Sequence, residues 1–87
     1  MDQIDEIKAD PSKATFIRGV EALGEKIRLE RRKRKLTQAE LAARSGVSRR
    51  FLYQLENGSR DSFPLGKVLQ VIHRLNLAIQ IVPRVVE

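Results

Sequence analysis

Residues 38–57 read QAELAARSGVSRRFLYQLEN, and this stretch decides the fold. Its pattern predicts two short helices, over residues 38–44 and 49–56, with only a few residues between them. Each helix is preceded by a hydroxyl residue that can cap its N-terminus and is followed by a glycine that can end it. In chain order these four residues are Thr37, Gly46, Ser48 and Gly58. Two helices joined by so short a turn cross at a steep angle and nearly touch.

The residues at this crossing suit a close contact between the two helices. Ala42 lies where the helices approach, and a larger side chain there would push them apart. Gly46 lies where the turn needs a positive φ, which costs little only for glycine. The shared core is supplied by Leu41, Val47, Leu52 and Leu55. Together with the capping-box spacing of Thr37 and Glu40, these positions predict a helix-turn-helix.

Two further helices are predicted on either side of this motif. One runs from about Glu21 to Arg34, although Gly19 and Gly24 weaken the expectation of a single unbroken helix through this region. The other begins at Pro64, which suits the start of a helix. Its apolar residues recur at the spacing of one helical face, and they are Leu65, Val68, Leu69, Ile72 and Leu75.

The two ends of the chain lie outside this helical unit. Asp10 and Pro11 favour a short helix to about Arg18, because a carboxylate caps well and proline suits the first helical position. The apolar residues available for packing there are Ala14, Phe16 and Ile17. Residues 77–82, LAIQIV, are β-branched and end at a proline, so they are the one strand candidate.

Composition limits the classes of protein to which the chain can belong. Its 87 residues make one domain, with 41% hydrophobic content for one core. The absence of Cys excludes a disulfide framework, a thiolate metal site and a thiol nucleophile. No apolar run approaches the roughly 20 residues that span a bilayer, and the acidic N-terminus lacks a signal-peptide core. We expect a soluble, cytoplasmic protein without a membrane partner.

Charge is distributed unevenly along the chain. Residues 26–60 hold eleven Lys or Arg against three Glu, a net charge of +8, whereas the first ten residues carry −3. This asymmetry points to a polyanionic partner for the middle of the chain. Charge alone is equally compatible with a solvated basic helix face.

The sequence also resembles a known family. Residues 23–59, LGEKIRLERRKRKLTQAELAARSGVSRRFLYQLENGS, are similar to the Cro/C1-type helix-turn-helix domain of phage repressors and many bacterial regulators. The most specific pieces are LTQAELA and QLENG. The tail FPLGKVLQVIHRLNLAIQIVPR resembles the HipB-type antitoxins, whose domain ends in a strand that pairs across a dimer. The resemblance implies an all-α fold of four to five helices with one C-terminal β-strand pairing across a dimer.

This resemblance implies DNA-contacting roles for particular residues. A helix N-terminus in the major groove presents its first turn to base edges. The implied base-reading residues are Arg49, Arg50, Tyr53 and Gln54. Arg suits guanine and Gln suits adenine, although a phosphate contact or a solvated side chain is the alternative for Arg50 and Tyr53. The implied phosphate contacts are Gln38, Ser48, Lys33, Asn57 and Arg60, and Asn57 could equally be a helix stop.

Two acidic residues of this region, Glu56 and Glu30, are not expected to contact bases or to act in catalysis. The family commonly pairs an Arg of the first helix with a Glu at the end of the third, and Arg31 and Glu56 match those positions. Glu56 is therefore expected to be a partly buried ion-pair partner rather than a general acid. Glu30 and the basic tract 32–35 are expected to be solvated or near the DNA backbone.

The implied partners are double-stranded DNA with a palindromic operator, a second copy of the chain, and a HipA-like kinase toxin. The dimer strand would use Leu77, Ile79 and Ile81, with a disordered apolar tail as the alternative. The expected division is an N-terminal extension, a DNA-binding domain, and a dimerisation strand with its tail, over residues 1–18, 19–76 and 77–87. The alternatives to an antitoxin are a stand-alone or phage-type regulator and a protein-bridging adaptor, which would not need Arg49 and Arg50.

No catalytic or metal-binding residues are predicted, and no cofactor. His73 is the only histidine, and one His without Cys or paired carboxylates makes neither a metal site nor a catalytic dyad. The sequence also lacks a phosphate-binding glycine loop and a Ser/His/Asp set. We therefore expect a repressor and not an enzyme.

Overall fold

The computed structural model describes residues 8–85, which form an all-α unit. A three-residue 3-10 turn, Pro11–Lys13, comes first. Four helices follow: α1 (Val20–Lys33), α2 (Gln38–Ser45), α3 (Arg49–Asn57) and α4 (Leu65–Arg74). The predicted α-helical fold is confirmed. No helix among these residues is long and apolar enough to cross a membrane.

The ends of α2 and α3 are fixed by the capping residues that the sequence predicts. The Thr37 hydroxyl accepts a hydrogen bond from the Glu40 backbone N–H at 3.0 Å, and the Glu40 carboxylate accepts one from the Thr37 N–H at 2.8 Å. The Ser48 hydroxyl accepts from the Phe51 N–H at 3.0 Å. Gly46 has φ +73°, so the turn between the helices uses a conformation that favours glycine.

The core forms where α3 packs against α1 and α2, and where α2 packs against α4. Its buried apolar residues are Ile27, Leu41, Ala42, Phe51, Leu52, Leu55, Val68, Val71, Ile72 and Leu75. Phe51 also packs edge-on against Phe63, with ring centroids 5.8 Å apart. The set of residues predicted to form the buried face of α4 is partly wrong. Val71, which is not in the set, is buried, whereas Leu65, which belongs to it, is 67% exposed. Leu65 is the first residue of α4, and the first residue of this helix to be buried is Val68.

Gly24 does not interrupt α1, which is one unbroken helix of 14 residues. It lies where α1 crosses the end of α3. A Cβ atom at this position would overlap the carbonyl oxygen of Leu55 and lie 2.9 Å from that of Glu56. The glycine that weakened the sequence prediction of a long helix is therefore required for the contact between two helices.

The predicted helix from Pro11 to about Arg18 is wrong beyond its first turn. The Asp10 carboxylate caps that turn by accepting from the Ser12 N–H at 3.1 Å. Residues 14–18 then have no regular structure, and Phe16 is 82% exposed. Without a face packed on the core, so short a segment does not offset the cost of starting a helix. The first seven residues, which carry most of the predicted acidic segment, lie outside the described residues.

The strand expected over residues 77–82 is not formed within this chain, where residues 77–85 have no regular structure. A β-strand is defined by hydrogen bonds to a neighbouring strand, and pairing across a dimer would require a second copy. Leu77 packs against the core, whereas Ile81 is 94% exposed. The cross-dimer strand remains a prediction.

Candidate nucleic-acid interface

The α3 helix presents two chemically different faces. Its buried face consists of Phe51, Leu52 and Leu55, which hold it in the core. The opposite face begins immediately after the Ser48 cap and carries Arg49, Arg50 and Tyr53, all exposed, with Gln54 half-buried one turn along. The four residues that the sequence predicts to read bases therefore lie on the same side of one helix, and three of the four are exposed.

A buried ion pair connects α1 with the end of α3. The Arg31 guanidinium donates from Nε to Glu56 Oε2 at 2.7 Å and from Nη2 to Glu56 Oε1 at 2.9 Å. Both residues are more than nine-tenths buried. A third donor, Arg31 Nη1, binds the Leu36 carbonyl oxygen at 2.8 Å. The two residues expected to pair do so, and the planar guanidinium satisfies three acceptors at once.

Gln38, the first residue of α2, belongs to the same network. Its Nε2 donates to Glu56 Oε1 at 3.1 Å. The carboxylate of Glu56 therefore accepts bonds from α1 and from the start of α2 while it is itself part of α3. This bond leaves the Gln38 amide oxygen free to accept and one N–H free to donate.

The other predicted phosphate contacts surround the start of α2 and both ends of α3. The Ser48 hydroxyl accepts the cap bond and keeps its O–H for a donor role. Asn57 Nδ2 donates to the Tyr53 carbonyl oxygen at 2.9 Å, which fits a helix stop. Arg60 lies 5.0 Å from the centre of the Phe63 ring, and Lys33 is anchored on Glu30 at 3.3 Å. Their contacts with phosphate remain predictions.

Glu30 differs from its predicted solvated position. It is 7% exposed, and its carboxylate binds two cations of α1, Lys26 at 3.1 Å and Lys33 at 3.3 Å, and the C-cap residue Arg34 at 2.7 Å. The hydrogen bond from Arg34, helped by Lys26 and Lys33, lowers the pKa of Glu30 to about 2 against the opposing effect of burial. The i,i+3 and i,i+4 spacing of these residues is the sequence signal that could have revealed the network.

Comparison with known families identifies this architecture. A family model described as Helix-turn-helix matches residues 27–82, which is more than half of the chain. The chain belongs to the helix-turn-helix family. This helix-turn-helix protein is also 41% identical over 59 residues to the uncharacterized HTH-type transcriptional regulator y4mF of Sinorhizobium fredii, covering 68% of this chain and 76% of the relative.

Solved structures share the fold of this helix-turn-helix protein. A HipB–O1–O2 complex matches with a TM-score of 0.72 at 23% identity, over 80% of this chain and 100% of that one. A HipA–HipB–O2–O3 complex gives 0.73 at 23% identity, over 80% and 97%. SinR, the master regulator for biofilm formation in complex with DNA, gives 0.60 at 21% identity, over 64% and 89%. At these identities the likeness shows the fold.

The low pKa of Glu30 makes the stability of this helix-turn-helix domain depend on pH. A pKa that is lower in the folded state stabilises the fold above the unfolded value of 4.5, and this contribution is lost as the pH falls towards 2. We expect a loss of about 1–2 kcal/mol over that interval, since the three cations are partly exposed to solvent. Urea unfolding at several pH values measures it. The variant Glu30→Gln should lack this component of the pH dependence.

Glu25→Gln is the matched control, because it removes the same charge from an exposed position of α1 that makes none of these contacts. It should keep the pH profile of the parent below pH 4.5. Identical profiles for Glu30→Gln and the parent would contradict the assignment.

Proposed function

We propose that this chain is a sequence-specific DNA-binding transcriptional repressor that reads its operator with α3. The observation that carries the proposal is the exposed start of α3, where Arg49 and Arg50 follow a capped helix terminus on a rigid, buried framework. Arg forms bidentate bonds with guanine, and Gln54 one turn later suits adenine. The +8 charge of residues 26–60 would add sequence-independent attraction to the phosphates.

The repressor is proposed to act as a two-fold dimer on a palindromic operator. Residues 19–76 would form the DNA-binding domain, residues 77–87 the dimerisation strand with its tail, and residues 1–18 an extension. The exposure of Ile79 and Ile81 supports this, because pairing with a second copy would cover both side chains and satisfy open backbone groups. Two recognition helices related by symmetry would then read half-sites about one DNA turn apart.

An antitoxin role is the finer proposal: the chain would bind a HipA-like kinase toxin and regulate their shared operon. The fold likeness to HipB in the HipA–HipB–O2–O3 complex supports it. A stand-alone regulator is the second candidate, favoured by the name of the relative y4mF and by the likeness to SinR. The presence of a kinase-like gene beside this one, and recovery of its product with the purified protein, would distinguish the two.

As a DNA-binding regulator the chain would have no enzymatic role, and it would act in the cytoplasm with its DNA. Helix-turn-helix domains of this kind bind DNA and do not catalyse reactions. For DNA binding, the polar residues on the exposed face of α3 would act as hydrogen-bond donors and acceptors for base edges, and this needs no cofactor.

The central test is selection of duplex DNA from a random pool, followed by affinity measurements on the enriched sequence. We expect a palindrome with two half-sites about ten base pairs apart. The double variant Arg49→Ala/Arg50→Ala should bind it at least ~30-fold more weakly, since each bidentate base contact contributes about 1–3 kcal/mol.

Lys33→Gln provides the comparison. It should weaken the operator and an unrelated duplex alike and reduce the salt dependence, because a phosphate contact carries no sequence information. If the Arg49→Ala/Arg50→Ala protein bound the operator as tightly as the parent, α3 would not be the reading helix. An enriched sequence without two-fold symmetry would argue against the dimer.

A further inference from the structure

A second polar site lies between the C-terminal ends of α2 and α4. It is a surface pocket of about 260 Å³ lined by Arg44, Ser45, Gln70, His73 and Arg74. None of these residues belongs to α3 or to the start of α2, so the pocket is separate from the proposed reading face. Within residues 8–85, no ion pair involves Arg44 or Arg74.

Ser45 is the unusual residue of this pocket. It is 8% exposed, whereas the other four lining residues are exposed. Its hydroxyl is the only fully buried side-chain polar atom of the described residues that lacks a hydrogen-bond partner. Such a group costs stability in the unliganded protein. Alanine would fill the same space without that cost, so packing does not explain the serine at this position.

The charges of the pocket determine which ligand it fits. Cations in the last turn of a helix are favoured by the helix dipole, which alone could account for Arg44 and Arg74. The helix dipole does not account for the presence of both arginines in one pocket together with a buried, unpaired hydroxyl. Two helix C-termini contribute about half a negative charge each, and two guanidiniums outweigh them. Glu40, the only acidic residue of α2, uses its carboxylate in the capping box, and it interacts with Arg44 through space without forming an ion pair.

We propose that the pocket between α2 and α4 binds a small phosphorylated anion. The guanidiniums of Arg44 and Arg74 would hold the phosphate oxygens, since planar guanidinium matches phosphate bidentately. A rotation of Ser45 about χ1 would let its hydroxyl donate to the same group. Gln70 and His73 would line the side of the pocket that faces the rest of the ligand, beyond its phosphate group. The site is independent of the DNA-reading face and goes beyond the proposed function.

The test is a titration of the full-length protein with inorganic phosphate at constant ionic strength, followed by two-dimensional NMR. Shifts should concentrate at residues 44–45 and 70–74. Arg74→Gln should weaken phosphate binding about tenfold, because one charge-assisted contact is lost. Arg28→Gln removes the same charge from an exposed position of α1 and should change the affinity by less than about twofold.

Ser45→Ala separates a ligand role from a structural one. Without phosphate its melting temperature should rise by several degrees, since a buried unpaired hydroxyl is removed. With phosphate its additional stabilisation should be smaller than that of the parent. Equal weakening by Arg74→Gln and Arg28→Gln, or shifts spread over all basic residues, would overturn the proposal. So would a loss of operator affinity in Arg74→Gln comparable to that of Lys33→Gln, which would make the pocket a contact for the DNA backbone.

Discussion

Replacing Gly24 with alanine is expected to lower the free energy of unfolding by about 3 kcal/mol or more. The added methyl group would overlap the Leu55 carbonyl oxygen and press on that of Glu56. Both obstacles are backbone atoms of α3, so relief requires moving one helix away from the other. Urea unfolding followed by circular dichroism measures the change, and the midpoint should shift to lower urea with little change in slope.

Gly66→Ala is the matched control for this prediction. Gly66 lies in α4, and a Cβ atom there would have nothing within 4 Å. The same substitution should therefore stabilise the protein by up to about 1 kcal/mol, because glycine is unfavourable within a helix. Opposite signs for the two variants would show that the contact, and not helix propensity, decides the effect at Gly24. Equal effects at both positions would contradict the close crossing of α1 and α3.

Arg31→Met should destabilise the protein by about 3–5 kcal/mol, because it leaves the buried Glu56 carboxylate without its cation. Only the neutral Gln38 amide would remain on that carboxylate. Arg31→Lys should cost less, since it keeps the charge but cannot reproduce the three bonds to Glu56 and the Leu36 carbonyl oxygen. Chemical unfolding at neutral pH measures both variants.

The double variant Arg31→Met/Glu56→Met tests the origin of that loss. Removing both charges should restore much of the stability lost in Arg31→Met, because a buried pair contributes little net stability whereas an unpaired buried charge is costly. The single variant Glu56→Met completes the cycle. If the loss of stability in the double variant equalled the sum of the losses in Arg31→Met and Glu56→Met, the two residues would not interact energetically.

The local features of this fold were predictable from sequence, because they depend on neighbouring residues. The caps at Thr37 and Ser48 and the turn at Gly46 each follow from residues a few positions apart, and all three are present. The Arg31–Glu56 pair came from family resemblance, since nothing local connects residues 25 positions apart.

The features that the sequence did not predict depend on contacts, or on missing contacts, between distant parts of the chain. Gly24 is required because of backbone atoms about thirty residues later, which no local propensity encodes. Residues 14–18 do not form the predicted helix because none of them is buried in the core, and tertiary packing supplies most of the stability of short helices. The strand pairing predicted for residues 77–82 would need a second copy of the chain, so it stays a prediction that one chain does not test.

The separation of the two faces of α3 has a consequence for how this protein could change during evolution. Phe51, Leu52 and Leu55 hold the helix in place, whereas Arg49, Arg50 and Tyr53 contribute nothing to the core. Substitutions at solvent-exposed positions usually change stability by less than about 0.5 kcal/mol. Under the proposed DNA-reading role of α3, a duplicated copy could therefore acquire a new operator by changing a few exposed residues, with its scaffold intact. The same role would make α3 a position for redesigning DNA preference without refitting the core.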